Sequence, residues 1–278
     1  LERCVSSLWA DDSADGSPDV TVVDNASNDG SADAVQRAHA DVRVVRTGAN
    51  LGYAAAANRG IAATVAPVVA VFNPDANVEA GTGAAMLARF DREPDLGALG
   101  PCIRNPDGSV YPSARRFPGT SDAIGHALLG WCWPANPWTG RYRQLDLDPG
   151  RARDADWVSG AAVWLRRAAL EDVGGWDEGY FMYLEDADLG WRLGRRGWRI
   201  GYEPAGNVVH VQAVSTRRHP YRMIVEHHRS TARLAAKRWT GARRLLLVPL
   251  IPALVLRAAV VMAAHALGRR SGNEQVQG

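Results

Sequence analysis

Short apolar runs alternate with helical patterns along the first third of the chain. Three runs are apolar on both faces, as buried parallel strands are, and they span residues 20–23, 42–45 and 68–72. Residues 31–39 and 54–63 between them favour helices, and Ser31 is a candidate N-cap of the first. The alternation predicts an open, mostly parallel α/β sheet that is flanked by helices.

The middle of the chain has a less regular pattern. Residues 101–156 are rich in Pro, Gly, Trp and Arg, which favours irregular loops that cover a substrate. Regular patterning returns after residue 160. It predicts a strand at 161–165, a helix from Arg167, a turn at 174–177, a helix at 184–196 that ends at Gly197, and short strands at 199–203 and 208–211.

The C-terminal part combines a basic stretch with a long apolar segment. Between residues 217 and 244 the one acidic residue is Glu226, and residues 245–267 are apolar except for Arg257 and His265. The segment is just long enough to span a bilayer, but a central arginine would be costly there. We therefore expect a helical tail in the membrane interface, behind a stretch that attracts anionic lipid. The alternative is a C-terminal helix packed on the preceding domain.

Composition and charge narrow the class of protein. The 278 residues are 46% hydrophobic, which suits a sizeable core, and the net charge of +2 argues against a general polyanion binder. The basic C-terminal part suits lipid head groups or nucleic acid; we favour the membrane and expect no nucleic acid partner. The N-terminus shows no signal peptide, and the cysteines have no paired spacing, which predicts a reduced, cytoplasmic protein. These cysteines are Cys4, Cys102 and Cys132.

Two aspartates lie at the carboxyl ends of predicted strands. Ligands of open α/β sheets bind beyond the carboxyl ends of the strands, where Asp24 and Asp75 are expected. Asp24 can accept a hydrogen bond from a base N–H or a ribose hydroxyl. Asp75 can hold Mg²⁺ or Mn²⁺, with nucleotide phosphates as the other ligands. A simple turn is the alternative at both positions.

Two further blocks are candidates for binding and chemistry. Residues 50–60 include Gly52 and several alanines, which allow a ligand to approach the backbone closely or simply allow tight packing. The acidic block contains Glu185, Asp186 and Asp188, which repel one another unless a cation is near. Asp188 can pair with Arg192 four residues later, which leaves the first two carboxylates at the start of a helix. Stabilisation of the helix dipole is the alternative explanation.

Taken in order, these blocks resemble the family 2 glycosyltransferases with a GT-A fold. The most specific match is residues 174–192, Gly-Gly-Trp-Asp-Glu-Gly-Tyr-Phe-Met-Tyr-Leu-Glu-Asp-Ala-Asp-Leu-Gly-Trp-Arg. The resemblance covers residues 1–215, the expected catalytic domain, and leaves residues 216–278 as the tail. Its subgroup is similar to bacterial rhamnosyltransferases that extend lipid-linked cell-wall or O-antigen glycans.

The resemblance implies a role for each matching residue. Asp186 would be the general base, with Glu185 beside it, and Asp75 would ligate Mg²⁺ or Mn²⁺ between the donor phosphates. His210 would join the metal site, although a lone histidine is more often structural. Residues of the substrate pocket would be Asp24 at the nucleoside, Asn50, Gly52 and Asn58 around the nucleotide, Gly160 and Ala161 at the sugar, and Asp188 and Arg192 within the acidic block.

The same resemblance implies a reaction and its partners. A sugar, with rhamnose from dTDP-rhamnose as the best match, would pass with inversion to a glycan or polyprenyl-linked acceptor at the inner face of the membrane. Family members begin with a strand of the type Val-Val-Val-Val-Thr-Tyr-Asn, whereas this sequence opens in what resembles the following helix. We therefore expect the sheet to lack its first strand, through a wrong start or a decayed enzyme.

Two alternatives to this function remain at the level of sequence. A sugar nucleotidyltransferase also uses an α/β sheet and metal-binding carboxylates, but its glycine-rich phosphate loop with Arg or Lys is not visible near the start. A degenerate, non-catalytic relative could bind membrane or nucleic acid through residues 217–244. The intact acidic block argues against that alternative, and the expected loss of the first strand argues for it.

Overall fold

A computed structural model describes residues 1–11, 18–117, 119, 133, 135–144, 147–211 and 220–274, with side chains up to 267. The chain forms two compact units. The N-terminal unit comprises Leu1–Glu178 and Glu185–Gln212, and the C-terminal unit comprises Gly179–Leu184 and Ala213–Gly278. The division into a catalytic domain of residues 1–215 and a membrane-associated tail stays a prediction.

The N-terminal unit alternates helices and strands. Its helices are α1 Glu2–Ala10, α2 Ser31–Ala38, α3 Tyr53–Ala62, α4 Thr82–Arg92, α5 Pro137–Arg143, α6 Arg167–Val173 and α7 Glu185–Arg195. Its strands are β1 Thr21–Asp24, β2 Arg43–Arg46, β3 Val68–Phe72, β4 Ala76–Val78, β5 Leu96–Arg104, β6 Val110–Tyr111, β7 Ala114–Arg115, β8 Arg153–Ala155, β9 Trp157–Val158, β10 Ala162–Arg166 and β11 Arg199–His210.

The main sheet is mixed. Its strand order is β3-β10-β5-β11-β4, with β6 beside β5 and β8 beside β11, while β1–β2 and β7–β9 form separate two-stranded sheets. Pair β1–β2 is parallel, as predicted. Pair β5–β11 is parallel too, but β5 itself was not predicted, and its last residues lie in the region that was expected to be irregular. The expectation of a parallel β3 is wrong, because β10 runs antiparallel to it and aligns Ala162 with Phe72. The expectation of full burial also fails at β3, where Ala70 is exposed.

Several predictions of local structure also differ from what the structure shows. Gly30, with φ 72°, is the N-cap of α2, so Ser31 is the first helical residue and donates its N–H to Asp29 Oδ1. The two short strands after Gly197 are one strand, β11, with an irregularity between Glu203 and Asn207. The region expected to be irregular contains β6, β7, β8 and α5, while its residues 118, 120–132, 134 and 145–146 lie outside the described part.

Helix α7 packs very closely against β9, and a glycine makes this possible. A Cβ atom on Gly190 would lie 2.6 Å from both the carbonyl oxygen of Asp156 and the Cβ of Trp157. Leu189 and Leu193 of the same helix belong to the buried core with Val158 and Leu165. The core therefore fixes α7 in place, and with it the acidic residues of its first turn.

The C-terminal unit contains two long helices, α8 Pro220–Arg238 and α9 Leu247–Glu274, joined by the 3₁₀ helix Gly241–Leu246. The short segment Gly179–Leu184 packs on α8, since Ser230 Oγ donates to the Met182 carbonyl at 2.9 Å. Segment Gly241–Leu267 contains an 18-residue window with a mean hydropathy of 2.4, so by length and composition it is able to cross a bilayer. It is the one segment of this kind in the described chain.

Candidate active site

Asp186 is held in the first turn of α7 by two backbone N–H groups. Gly160 donates to Oδ2 at 3.1 Å, and Ala187 donates to Oδ1 at 2.8 Å. Gly160 lies in the tight connection between β9 and β10, and its carbonyl accepts the Tyr53 hydroxyl at 2.5 Å. The carboxylate is thus fixed by three separate elements, α3, α7 and the β9–β10 connection.

The two adjacent carboxyl groups are in unlike surroundings. Burial and the neighbouring charge of Asp186 raise the pKa of Glu185 to about 8. Burial also raises the pKa of Asp186, but the Gly160 N–H and the nearby Arg115 guanidinium act in the opposite direction. Glu185 Oε2 is buried and has no hydrogen-bond partner among the described residues. A proton on the pair is therefore favoured near neutral pH.

A second polar cluster lies at the junction of β3, β4 and β11. His210 Nε2 is 3.0 Å from Asp75 Oδ1 and 3.2 Å from Asn73 Nδ2. Burial raises the pKa of Asp75, but the hydrogen bond and charge of His210 outweigh it and bring the pKa below its ordinary value. The N–H of Asn73 donates to the Ala161 carbonyl at 2.9 Å, so this cluster adjoins the connection that holds Asp186.

The residues of this cluster fit a divalent cation only in part. A carboxylate oxygen and an imidazole nitrogen 3.0 Å apart can bind one ion together, and His210 Nδ1 is buried without a partner. The described residues contain no group of three or more His, Cys, Asp or Glu that could hold a metal alone. Asp75 and His210 therefore suit an ion whose other ligands come from a substrate, as phosphate oxygens do.

Comparisons with known proteins decide the family. A model of "Glycosyl transferase family 2" matches residues 1–174, and one of "Glycosyl transferase family group 2" matches residues 147–268. The N-acetylglucosaminyl-diphospho-decaprenol L-rhamnosyltransferase of Mycobacterium tuberculosis is 43% identical over 282 residues, which cover 98% of this chain and 89% of that protein. The chain belongs to glycosyl transferase family 2.

Solved structures confirm the predicted fold class of this glycosyltransferase. The mannosyltransferase PcManGT of Pyrobaculum calidifontis, in complex with GDP-Man and Mn²⁺, matches 96% of this chain and 75% of its own, with 18% identity and a TM-score of 0.55. TarS of S. aureus, residues 1–349 with UDP, matches 92% and 66%, with 13% identity and a TM-score of 0.51. Family membership also sets aside the alternative of a nucleotidyltransferase.

Three nucleotide-side candidates of the glycosyltransferase lie at the end of β1 and just before α3, while Asn58 lies within α3. Asp24 Oδ1 accepts the Ser27 N–H at 2.8 Å. Asn50 Oδ1 accepts the Gly52 N–H at 3.1 Å, and Gly52 has a φ of 88°, a conformation that favours glycine. The sequence analysis missed Asn25, which accepts the Leu51 N–H at 2.9 Å and donates to the Gly52 carbonyl at 3.1 Å. Its position directly after Asp24 was the available signal.

Three candidates for substrate binding use their polar groups within the fold. Asn58 exchanges two hydrogen bonds of 2.9 Å with the backbone of Trp176. Asp188 is fully buried and pairs with Arg192 at 2.6 Å. Arg192 also donates to the carbonyls of Val173 and Gly175 at 2.8 and 2.7 Å. These contacts hold the turn after α6 against α3 and α7, so the geometry favours a structural role for all three.

Arg115 was not singled out in the sequence, because one arginine among many carries no distinguishing pattern. It lies on β7, opposite Trp157 of β9, two residues before the Ser159–Gly160 connection. Cys4 adjoins the cluster of Asn73, Asp75 and His210, since its Sγ donates to the Asn73 carbonyl at 3.7 Å. Cys4 and Cys102 are free and buried, burial raises the pKa of the Cys4 thiol to about 11, and Cys132 lies outside the described residues.

Proposed function

We propose that this glycosyltransferase transfers rhamnose from dTDP-rhamnose to an N-acetylglucosaminyl-diphospho-polyprenol, with inversion, in cell-wall synthesis. The observation that carries this is the 43% identity, over 98% of the chain, to the mycobacterial rhamnosyltransferase of that acceptor class. The full acidic block and the N–H bonds to Asp186 support an active rather than a degenerate relative.

Asp186 acts as the general base. Inversion by single displacement needs one base, which takes the proton of the acceptor hydroxyl as that oxygen attacks the anomeric carbon. Asp186 is held on both oxygens by N–H groups, and its position next to Gly160 and Ala161 puts it beside the proposed sugar pocket. A pair of carboxylates flanking the glycosidic bond, as in a hydrolase, is not required.

The donor binds between the nucleotide-side residues and Asp75. Asp24 contacts the nucleoside, Asn50 and Gly52 shape the backbone around it, and the Gly160–Ala161 connection contacts the sugar. Asp75 and His210 hold Mg²⁺ or Mn²⁺, and the carboxylate suits both ions while the imidazole nitrogen favours Mn²⁺. A bound ion supplies positive charge that stabilises the departing diphosphate.

The direct test of the reaction uses the full chain with dTDP-rhamnose and a short-chain N-acetylglucosaminyl-diphospho-polyprenol. We expect release of dTDP and a product whose anomeric configuration, read by NMR, is opposite to that of the donor. Release of pyrophosphate, a product of retained configuration, or an absolute preference for another nucleotide sugar would overturn the corresponding part of the proposal.

The metal is tested by donor binding and by activity. Excess chelator should abolish transfer, and Mn²⁺ or Mg²⁺ should restore it. Asp75→Ala should weaken metal-dependent binding of dTDP-rhamnose by at least tenfold in calorimetry, and Asp107→Ala, an exposed acid whose side chain bonds only within its own turn, serves as the matched control. Full activity in excess chelator would remove the metal from the proposal.

We further propose that the C-terminal unit associates with the inner face of the membrane, where a polyprenyl-linked acceptor would be found. The large hydrophobic side chains exposed on Gly241–Leu267 are all aliphatic. They are Leu245, Leu246, Val248, Ile251, Val255, Leu256, Val260 and Leu267. Of the polar side chains described on α9, Arg257 lies 3.2 Å from His228 Nε2 of α8, and His265 is exposed but contacts the ring of Tyr221.

This arrangement removes the main objection to membrane insertion of α9. His228 Nδ1 is 2.7 Å from the Ile224 carbonyl, which identifies it as the donor and leaves Nε2 to accept from Arg257. The guanidinium is thus bonded within the helix pair rather than facing lipid. Exposed arginines at 229, 243 and 244 are placed to meet anionic head groups.

Vesicle sedimentation tests the membrane proposal. Full-length protein should pellet with anionic vesicles, and high salt should release only part of it, because burial of apolar surface is not screened. Changing Arg229, Arg243 and Arg244 to Gln should weaken binding to anionic vesicles by about 100-fold, at roughly 1 kcal/mol per charge. The same change at exposed Arg3, Arg37 and Arg151 is the control. Equal losses of vesicle binding in the two triple variants, or no vesicle binding by the wild-type protein, would contradict the membrane proposal.

A further inference from the structure

The acidic pair of α7 presents a problem that the proposed mechanism does not solve. A general base must be ionised before it acts, yet Glu185 is buried, and Asp186, next to it and of like charge, is half-buried. Burial raises the pKa of both, and two carboxyl groups so close together do not both ionise readily near neutral pH. Which of them keeps the proton therefore decides whether Asp186 can work as the base.

Hydrogen bonds distinguish the two groups. Both oxygens of Asp186 accept backbone N–H groups, which favours its ionised form. Oε2 of Glu185 is buried without a hydrogen-bond partner among the described residues, which disfavours a charge there. The donors thus stabilise an anion on Asp186 and offer none to Glu185 Oε2.

No cationic side chain among the described residues lines the space behind Asp186. A cavity of about 10 Å³ borders its side chain, and Val158, Leu165 and Leu193 are among its apolar walls. Trp176 also lines it, and the Trp176 Nε1 is buried without a hydrogen-bond partner among the described residues. A compensating positive charge for Asp186 therefore has to come from outside this cavity.

Arg115 is the cation close to the segment that holds Asp186. Ser113, just before β7, accepts the Ser159 N–H at 2.8 Å, and Trp157, opposite Arg115, packs against Gly190, one turn after Asp186 on α7.

The Arg115 guanidinium donates to the Pro112 carbonyl at 2.9 Å and to the Tyr111 hydroxyl at 2.7 Å. Its central carbon lies 4.9, 5.5 and 5.8 Å from the ring centroids of Trp157, Tyr111 and Tyr142. Burial lowers the pKa of Arg115, but Tyr111, Tyr142 and then Asp186 raise it, so the two charges stabilise each other.

We propose that Glu185 and Asp186 share one proton that resides on Glu185, and that Arg115 is the positioning residue that keeps Asp186 a carboxylate. The titratable groups that face Asp186 are Glu185 on its own helix, Tyr53 from α3 and Arg115 from β7. Burial raises the pKa of Tyr53 well above its ordinary value, so it stays a neutral donor to Gly160. Arg115 therefore supplies the positive charge. This inference rests on the proposed role of Asp186.

Infrared spectroscopy of the substrate-free protein tests the location of the proton. At neutral pH we expect a band of a buried protonated carboxyl that is lost in Glu185→Gln. In Arg115→Met a second protonated band, from Asp186, should appear at the same pH. Because no transfer is measured, these bands are expected even if the assigned donor or acceptor is wrong. Absence of the first band, or its survival in Glu185→Gln, would overturn the inference.

The pH profile of kcat/KM tests the role of Arg115. In Arg115→Met the acid limb should move upward by about one pH unit or more, since an opposite charge nearby lowers a carboxyl pKa by about 1–3 units. Arg115→Lys should restore most of the wild-type profile, because it keeps the charge. Arg116→Met is the matched control, an exposed arginine next in sequence. An equal shift of the acid limb in Arg116→Met, or no shift in Arg115→Met, would refute the role of Arg115.

If Arg115→Met does not fold, two other measurements still test the proposal: the pH profile of Tyr111→Phe and the infrared spectrum of Glu185→Gln. Tyr111→Phe removes one hydroxyl that anchors the guanidinium and should move the acid limb in the same direction by a smaller amount. An unchanged limb in Tyr111→Phe together with an unchanged infrared band in Glu185→Gln would contradict both halves of the proposal.

Discussion

Two aspartates of helix α7, two residues apart, have different surroundings and different proposed roles. Asp188 is fully buried against Arg192 at 2.6 Å, and that arginine also binds two carbonyls of the turn after α6. Asp186, two residues earlier and about 200° around the helix, is held by N–H groups of Gly160 and Ala187 instead. A charge neutralised by an ion pair within its own helix serves the fold, whereas a carboxylate held by backbone N–H groups remains free to take a proton.

The largest effect should come from Asp186. Asp186→Asn keeps the size of the side chain but removes the base, so turnover should fall by about 1,000-fold or more, within the roughly 10²–10⁴ that general-base catalysis supplies. Calorimetric donor affinity and melting temperature should change little, because the base contacts the acceptor. A variant that keeps more than about a tenth of wild-type turnover would show that Asp186 is not the base.

Asp188 should behave in the converse way. Asp188→Asn leaves Arg192 buried without its partner, and breaking a buried ion pair costs about 3–5 kcal/mol of unfolding free energy. The control is Arg196→Met, which breaks a pair with Asp172 at 3.6 Å whose side chains are 61% and 38% exposed, and which should cost at most about 1 kcal/mol. Thermal unfolding compares them. Similar losses of unfolding free energy in the two variants would contradict the structural role of Asp188.

Glu185 should make stability depend on pH. Its pKa rises from 4.5 in the unfolded chain to about 8 in the folded protein, so the folded state binds the extra proton and its advantage is present below pH 4.5. This contribution to the free energy of unfolding is lost as the pH rises towards 8. Between pH 6 and 8 the loss is at most about 3 kcal/mol. Glu185→Gln should flatten the profile of unfolding free energy. A wild-type profile that rises with pH in this window would contradict the assignment.

The sequence predicted the parts of this contrast that are local. The i, i+4 spacing of Asp188 and Arg192 indicated their ion pair, and the helix start indicated where Glu185 would lie. The α/β class and the family followed from the strand ends and the acidic block. What spacing could not supply is contact between distant segments: the Gly160 N–H on Asp186, Arg115 beside it, and the structural use of Asn58 across 118 residues.

The direction of strand pairing also could not be predicted from the sequence. Apolar runs do not encode their neighbours, so β3 was expected to be parallel although β10, from beyond residue 160, pairs with it antiparallel. The break of β11 predicted near residue 205 is a register shift rather than two strands, since Pro204 and Gly206 resemble a turn in sequence while β5 continues alongside. Long-range pairing overrides the local signal in both places.

The smallest effect should come from the connection that supports Asp186. A Cβ on Gly160 would lie 3.2 Å from the Tyr53 hydroxyl, close enough to displace it by a few tenths of an ångström. Gly160→Ala should therefore lower kcat by only about tenfold or less, since a displacement of about 1 Å costs on the order of 100-fold. Tyr53→Phe removes the hydroxyl and its bond to Gly160, at about 1 kcal/mol of stability. The double variant has room for the new methyl, so its loss of kcat should be less than the product of the single losses, with a coupling of about 0.5 kcal/mol or more. Measuring kcat and melting temperature for all four proteins gives this coupling. Strictly additive effects would mean that the Tyr53 hydroxyl does not determine where Gly160, and through it Asp186, is held.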